Sequence, residues 1–241
     1  MKKFLVLLSV LAAFSAGATA APLPVLPTPD KSWTEVSNDD HVLVHRKDIE
    51  GSDLVAFRGE TMIEAPMAKV ANVLIDTSRK LEWVHKIVEA KGVRTISQFE
   101  RVEYNHTASG FFLVRDRDFV FRAKADLDRV KRQMLFTLKS VEDPLMPETD
   151  MVRGELTNSA YTLTMLGDNR THLVVEIHAD PKGSVPKWLV NLFQKSWPRV
   201  TLNGIRAQCA KPDVVEHAAI HDFFAQQDTA SLSAVSKKAT K

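Results

Sequence analysis

Four stretches of strict alternation, followed by one long apolar helix, limit what this chain can fold into more than anything else in it. Phe119, Phe121, Ala123, Ala125 and Leu127 alternate with Val120, Arg122, Lys124 and Asp126. Met134, Phe136 and Leu138 alternate with Leu135, Thr137 and Lys139. Tyr161, Leu163 and Met165 alternate with Thr162 and Thr164, and Leu173, Val175 and Ile177 with His172, Val174 and Glu176. A period of two with one apolar side predicts an antiparallel sheet wet on one face. Val102, Tyr104 and His106 give a weaker fifth case. A sheet with one apolar face needs a cover. The natural cover is a helix predicted from about Val185 to Ala210, with Leu189, Leu192, Phe193, Val200 and Ile205 along one stripe. Pro198 should kink it, because the ring removes one helical hydrogen bond. The fold class is therefore α+β, a curved antiparallel sheet wrapped on a C-terminal helix.

Upstream, Val42 to Arg46 and Leu54 to Ile63 read as strands around a turn at Gly51-Ser52. Pro66 opens a helix in which Met67, Val70, Ala71 and Leu74 recur at helical spacing. A second short helix is expected from Arg79 to Val88, with Trp83 and Ile87 on one face. No internal repeat and no domain-sized linker interrupts the chain.

The two ends read differently. Lys2-Lys3, the apolar run Phe4 to Phe14 and the small residues Ala18-Thr19-Ala20 form an export signal over 1–20, too short in its apolar part to span a bilayer. Cleavage leaves roughly 220 residues, enough for one domain with a substantial core. Residues 21–30 form a Pro-rich leader, expected to be extended and mobile. Residues 31–212 carry the domain. Residues 213–241 form a C-terminal extension, polar and expected to be disordered from about 226. Loss of Lys2 and Lys3 takes the formal charge of +2 to neutral. A neutral surface argues against nucleic acid as a partner.

No catalytic constellation emerges. Cys209 is the single cysteine and reads as a small buried hydrophobe. Ser109-Gly110 and Ser184 have no paired base around them. His217 and His221 stand four apart, but Ala218 occupies the place of the glutamate a metalloprotease motif needs. No metal and no cofactor is expected. Asp116 and Asp118 straddle Arg117 and read as strand-edge pairing groups.

Several motifs, in order, resemble the START family of lipid-transfer domains. They are Trp33, Phe57-Arg58-Gly59, Glu82-Trp83, Arg117-Asp118-Phe119-Val120, Val152-Arg153, Asp180-Pro181-Lys182-Gly183 and Pro186-Lys187-Trp188-Leu189-Val190-Asn191. The resemblance runs from about Trp33 to Pro212. Where family members often carry Gly and Trp, this chain reads Ser159-Ala160-Tyr161, and the tyrosine hydroxyl wants a partner. The resemblance implies a helix-grip fold that encloses an apolar cavity, and a binding function in place of catalysis. The residues expected to face a ligand are Tyr104, Arg117, Phe119, Phe121, Phe136, Arg153, Tyr161, Leu163, Leu173, Val175, Trp188, Leu189, Phe193 and Trp197. For Arg117 and Arg153 a structural role stands beside ligand contact, because a charge facing a core needs a partner.

The expected function is binding and transfer of one sterol, phospholipid or similar molecule by an exported periplasmic or secreted protein. The expected partners are the lipid, a transient membrane surface and no second copy of the chain. Two alternatives share the architecture: a polyketide aromatase/cyclase, and an exported chaperone for lipidated proteins.

Overall fold

A computed structural model describes residues 24–110, 114–185 and 187–225, without the side chains at 187–189 and 192–194. Residues 1–23 (with the expected export signal), Phe111 to Leu113, Pro186 and the tail from 226 onward lie outside the described residues. The elements run β1 (Thr34–Asp39), β2 (Val42–Asp48), β3 (Val55–Ile63), α1 (Met67–Ile75), a 3-10 helix (Thr77–Glu82), β4 (Ile87–Ser97), β5 (Glu100–Thr107), β6 (Arg117–Asp128), β7 (Gln133–Ser140), β8 (Val152–Arg153), β9 (Glu155–Leu156), β10 (Ser159–Gly167), β11 (Arg170–Ile177), β12 (Ala179–Asp180) and α2 (Lys187–Cys209).

The sheet order is β1-β2-β3-β11-β10-β7-β6-β5-β4, and every neighbouring pair on this path is antiparallel. Short β8 lies parallel to β6, and β9 pairs with β12 outside the main sheet. The fold is the expected curved antiparallel sheet around a C-terminal helix. β1 carries no apolar alternation, and its sequence gave no warning of it. It forms because Asp40 and His41 both adopt positive φ, 55° and 60°, and close a two-residue hairpin onto β2.

The segment expected to be helical from Arg79 to Val88 splits. The 3-10 helix ends at Glu82, Lys86 takes φ 63°, and Ile87 pairs with Thr107 as β4 begins. Edge pairing along β5 overrides a helical spacing that spans barely two turns. Val88 is accordingly an exposed strand residue.

Helix α2 grips the sheet through a close approach at β3. A Cβ on Gly59 would stand 2.6 Å from Pro198 Cβ and 3.0 Å from Leu202 Cδ1. Only glycine lets the two backbones come so near. Arg58, one residue earlier, points to the opposite face. It is 1% exposed and is held by Glu60 at 2.8 Å, Glu176 at 3.2 Å and the carbonyl of Pro27 at 2.7 Å. The described part of the Pro-rich leader thus lies on the outer face of the sheet.

The inner face divides lengthwise. At one end Met134, Leu163 and Leu173 are fully buried in a continuous core with Met67, Val70 and Leu74 of α1. The C-terminal extension completes this end. Val214, Ile220 and Phe224 are buried in the same core, and the His217 N–H donates to the Ala68 carbonyl at 3.0 Å. Residues 218–225 form a last short helix. The other end of the inner face is not filled.

Candidate ligand cavity

At that unfilled end lies a cavity of about 320 Å³. The strand alternation builds its walls: Phe119 and Phe121 from β6, Phe136 and Leu138 from β7, Tyr161 from β10, and Val175 and Ile177 from β11. Ser196, Trp197 and Val200 of α2 form one side. Leu74, Trp83, Val84 and Ile87 close another, and Leu156, Ala179 and Pro181 a third.

Two glycines set its shape. A Cβ on Gly154 would stand 2.3 Å from the Phe119 ring, so that ring lies directly on the backbone between β8 and β9. A Cβ on Gly204 would stand 2.4 Å from the Trp83 carbonyl oxygen, so α2 touches the end of the 3-10 helix and fixes Trp83 in the wall.

The Arg-Asp-Phe motif at the start of β6 is divided among three tasks. Arg117 donates to the carbonyls of Pro181 at 3.3 Å and Lys182 at 3.2 Å, and to that of Arg115. It clamps the turn that precedes α2. Asp118 is fully buried and accepts from Arg153 Nε and Nη2, both at 2.9 Å, and from the Thr149 hydroxyl at 3.1 Å. That bidentate bond holds the Arg153 guanidinium above its ordinary pKa. Phe119 alone of the three reaches the cavity.

A polar corner interrupts the apolar lining. Glu103 of β5 is fully buried and pairs with Lys80, itself 5% exposed. Arg101 Nε donates to Glu103 at 2.5 Å, and Arg101 Nη2 to the Ile75 carbonyl at 2.6 Å. The Lys80 ammonium stands 5.4 Å from the centre of the Phe121 ring, and the Arg101 guanidinium 5.9 Å from that of Phe136. Burial pulls the Lys80 pKa down against the pull of Glu103. Trp83 Nε1 and Asn105 Oδ1, which also line the cavity, are buried and have no hydrogen-bond partner among the described residues. Burial pushes the Tyr161 hydroxyl pKa up, and that hydroxyl makes no hydrogen bond among the described residues.

Of the residues expected to face a ligand, Phe119, Phe121, Phe136, Tyr161, Val175 and Trp197 line the cavity together. Leu163 and Leu173 share their stripes but lie deeper, in the solid core under α1. Arg117 and Arg153 serve the turn and Asp118. Tyr104 lies on the opposite face of the sheet, because it pairs with Val120 while Glu103 pairs with inward-facing Phe121. It packs there with Val102 and Val120, with the Lys91 ammonium 4.7 Å from its ring centre. The side chains of Trp188, Leu189 and Phe193 lie outside the described ones. Leu138 and Ile177 could have been read from their stripes. Trp83 and Ile87, expected on one face of their segment, both reach the cavity, whereas Lys80 and Asn105 carried no local signal, since only long-range packing brings them there.

Among the described residues no group of three or more His, Cys, Asp or Glu side chains could hold a metal, and no helix is long and apolar enough to cross a membrane. The Cys209 thiol is buried, and burial pushes its pKa up to about 12.

An uncharacterized protein of Pseudomonas aeruginosa is 23% identical over 185 residues, 75% of this chain and 88% of that protein. StAR-related lipid transfer protein 13 of Homo sapiens is 26% identical over 159 residues, which is 66% of this chain but 14% of that protein. Two solved structures share the fold. A fragment of a STAR-related lipid transfer protein from Xanthomonas axonopodis has a TM-score of 0.67 at 24% identity, covering 75% of this chain and 99% of its own. Human StAR-related lipid transfer protein 5 has a TM-score of 0.69 at 19% identity, covering 75% and 88%. A family model of the START domain matches residues 28–209, from the leader docked on Arg58 to the last residue of α2. With the helix-grip sheet and its cavity, that match over most of the chain places the protein in the START family.

Proposed function

We propose that this protein binds one lipid-like molecule in the cavity and carries it between membranes. The observation that carries the reading is the cavity at one end of the inner face, walled by aromatic and aliphatic side chains, beside a buried apolar core at the other end. Each methylene moved from water into that space contributes about 0.8 kcal/mol. Relatives named as lipid transfer proteins support the same reading. The export signal over 1–20 adds that the carrier works outside the cytoplasm, in the periplasm or beyond.

Carriage requires opening. The turn at 180–183 is held by Arg117, and the start of α2 by Asn191, whose side chain accepts from the Val55 N–H at 3.3 Å and donates to the Asp53 carbonyl at 3.0 Å. These few bonds are what a lid would release, while the second half of α2 stays pinned against Gly59.

Native mass spectrometry of the purified protein, followed by solvent extraction, tests the binding. The expected result is one co-purified lipid per chain, released intact. A chain that carries none, and takes up none from vesicles, would overturn the proposal. Cell fractionation with N-terminal sequencing tests the location. A mature start at Ala21 in the exported fraction is expected, and Met1 retained in the cytoplasm would contradict it.

A further inference from the structure

We infer that residues 213–225 are a brace that locks the α1 and 3-10 wall of the cavity, so that a ligand passes only on the opposite side, by the 180–183 turn. This rests on the carriage reading above and specifies how the cavity is kept shut. The brace lies beyond Cys209, where the match to the START model ends. None of its residues lines the cavity, so it acts on the wall and not on the ligand.

The wall needs outside support. α1 has nine residues, with no side-chain cap at Pro66, no acid in its first turn and no base in its last. A helix that short is marginal without tertiary packing. It gives Leu74 to the cavity, and the segment after it gives Lys80, Trp83 and Val84. The extension is bonded to both pieces. Asp213 pairs with Arg79 at 3.0 Å. The Val215 carbonyl accepts from Asn72 Nδ2 at 3.0 Å, and the His217 N–H donates to the Ala68 carbonyl at 3.0 Å. Glu82, which ends the 3-10 helix, accepts from Gln208 at 2.9 Å and from Lys211 at 2.6 Å.

The exposed Arg79–Asp213 pair contributes little by itself. The buried side chains Val214, Ile220 and Phe224, in one core with Met67, Val70 and Ala71, carry the brace. Its far end is fixed to the hairpin between β6 and β7. There Arg129 Nε donates to the Phe223 carbonyl at 2.8 Å, and the guanidinium lies 4.0 Å from the Phe223 ring centre. The segment is thus held at one end by its continuity with α2 and at the other by this hairpin, and it meets α1 between them. Outward movement of α1 must break these contacts together. The 180–183 side has no such strap and is held by the hydrogen bonds of Arg117 and Asn191.

The test uses the full mature chain loaded with a fluorescent fatty acid, and follows its release to acceptor vesicles. Ile220→Ala and Phe224→Ala, made separately, should each speed release at least about tenfold, since a large-to-small change in a core shifts a local equilibrium by that much or more. Val120→Ala, in the small cluster on the opposite face of the sheet, is the control for lost stability and should leave release unchanged. Unchanged release in both brace variants, or an equal rise in the control, would overturn the brace. Hydrogen exchange on the unaltered protein decides the matter if the variants fail to fold. The His217 N–H and the amides from Ala71 to Leu74 should be protected to the same degree, because one opening exposes both. A His217 N–H that exchanges freely while α1 stays protected would overturn the brace and leave carriage intact. Failure of the unaltered protein to take up the fatty acid or any vesicle lipid would overturn carriage, and the exchange measurement would then still decide the brace.

Discussion

Leu173 and Val175 stand two residues apart on the same face of β11, and tryptophan at each should behave differently. Leu173 is fully buried in the packed half of the inner face, paired in register with Leu163. An indole there has no space. Overpacking of this kind costs about 1–3 kcal/mol, which for a domain of this size lowers Tm by about 2–4 °C per kcal/mol. Val175 is equally buried by its 1% exposure, but it faces the cavity of about 320 Å³. An indole there enters existing space and should cost less than about 1 kcal/mol. It would take the room of about four methylenes of ligand, worth about 3 kcal/mol or a hundredfold in affinity. Thermal unfolding and titration with a fluorescent fatty acid read the two effects separately. Leu173→Trp should lose stability and keep the site, and Val175→Trp should keep stability and lose the site. If both lose stability equally while binding is unchanged, the void is not where the ligand goes.

Gly204→Ala gains up to about 1 kcal/mol of helix propensity, but its Cβ would meet the Trp83 carbonyl at 2.4 Å. The overpacking cost of about 1–3 kcal/mol should win, so a lower Tm with a shifted Trp83 emission is expected, and a higher Tm would refute the close approach. Arg117→Met removes the bonds to the Pro181 and Lys182 carbonyls. Lipid transfer between vesicles should become faster while equilibrium affinity changes little, and an unchanged rate would free the 180–183 turn of any gating role. Arg79, Lys211 and Gln208 hold the Glu82 carboxyl well below its ordinary value of 4.5. Its contribution is complete above that value and fades as pH falls below it. The unaltered protein should therefore lose Tm more steeply than Glu82→Gln between about pH 4.5 and 2, and parallel curves would contradict this.

The strands that alternate strictly, β6, β7, β10 and β11, were legible because each buries one face and wets the other. So was α2, whose stripe must cover them. Legibility failed where pairing partners decide. Tyr104 looks like a cavity residue in its own strand, and only the register with β6 shows that Glu103 and Asn105 face inward instead. Leu163 and Leu173 belong to the right stripes, yet the stripe does not say where α1 and the C-terminal extension stop filling it. The polar corner was invisible for the same reason. Lys80 is an ordinary lysine in a short polar segment until the 3-10 helix folds it against Glu103, 23 positions away. Val214, Ile220 and Phe224 lie in a short stretch with apolar neighbours, Val215, Ala219 and Phe223, but the stretch is too brief and too mixed with charge to mark which of them is core.

Tryptophan quenching tests the central claim most directly. Two variants, each with a single tryptophan and phenylalanine at the other three positions, are titrated with a brominated fatty acid that quenches only on contact. One keeps Trp83, which lines the cavity, and the other keeps Trp33, which borders a polar hollow that the cavity does not include. A ligand enclosed in the cavity predicts strong quenching of Trp83 that saturates at one equivalent, with Trp33 emission unchanged. Quenching of Trp33 and not of Trp83, or quenching that never saturates, would mean that the lipid binds the outside of the sheet and that the cavity is not its site.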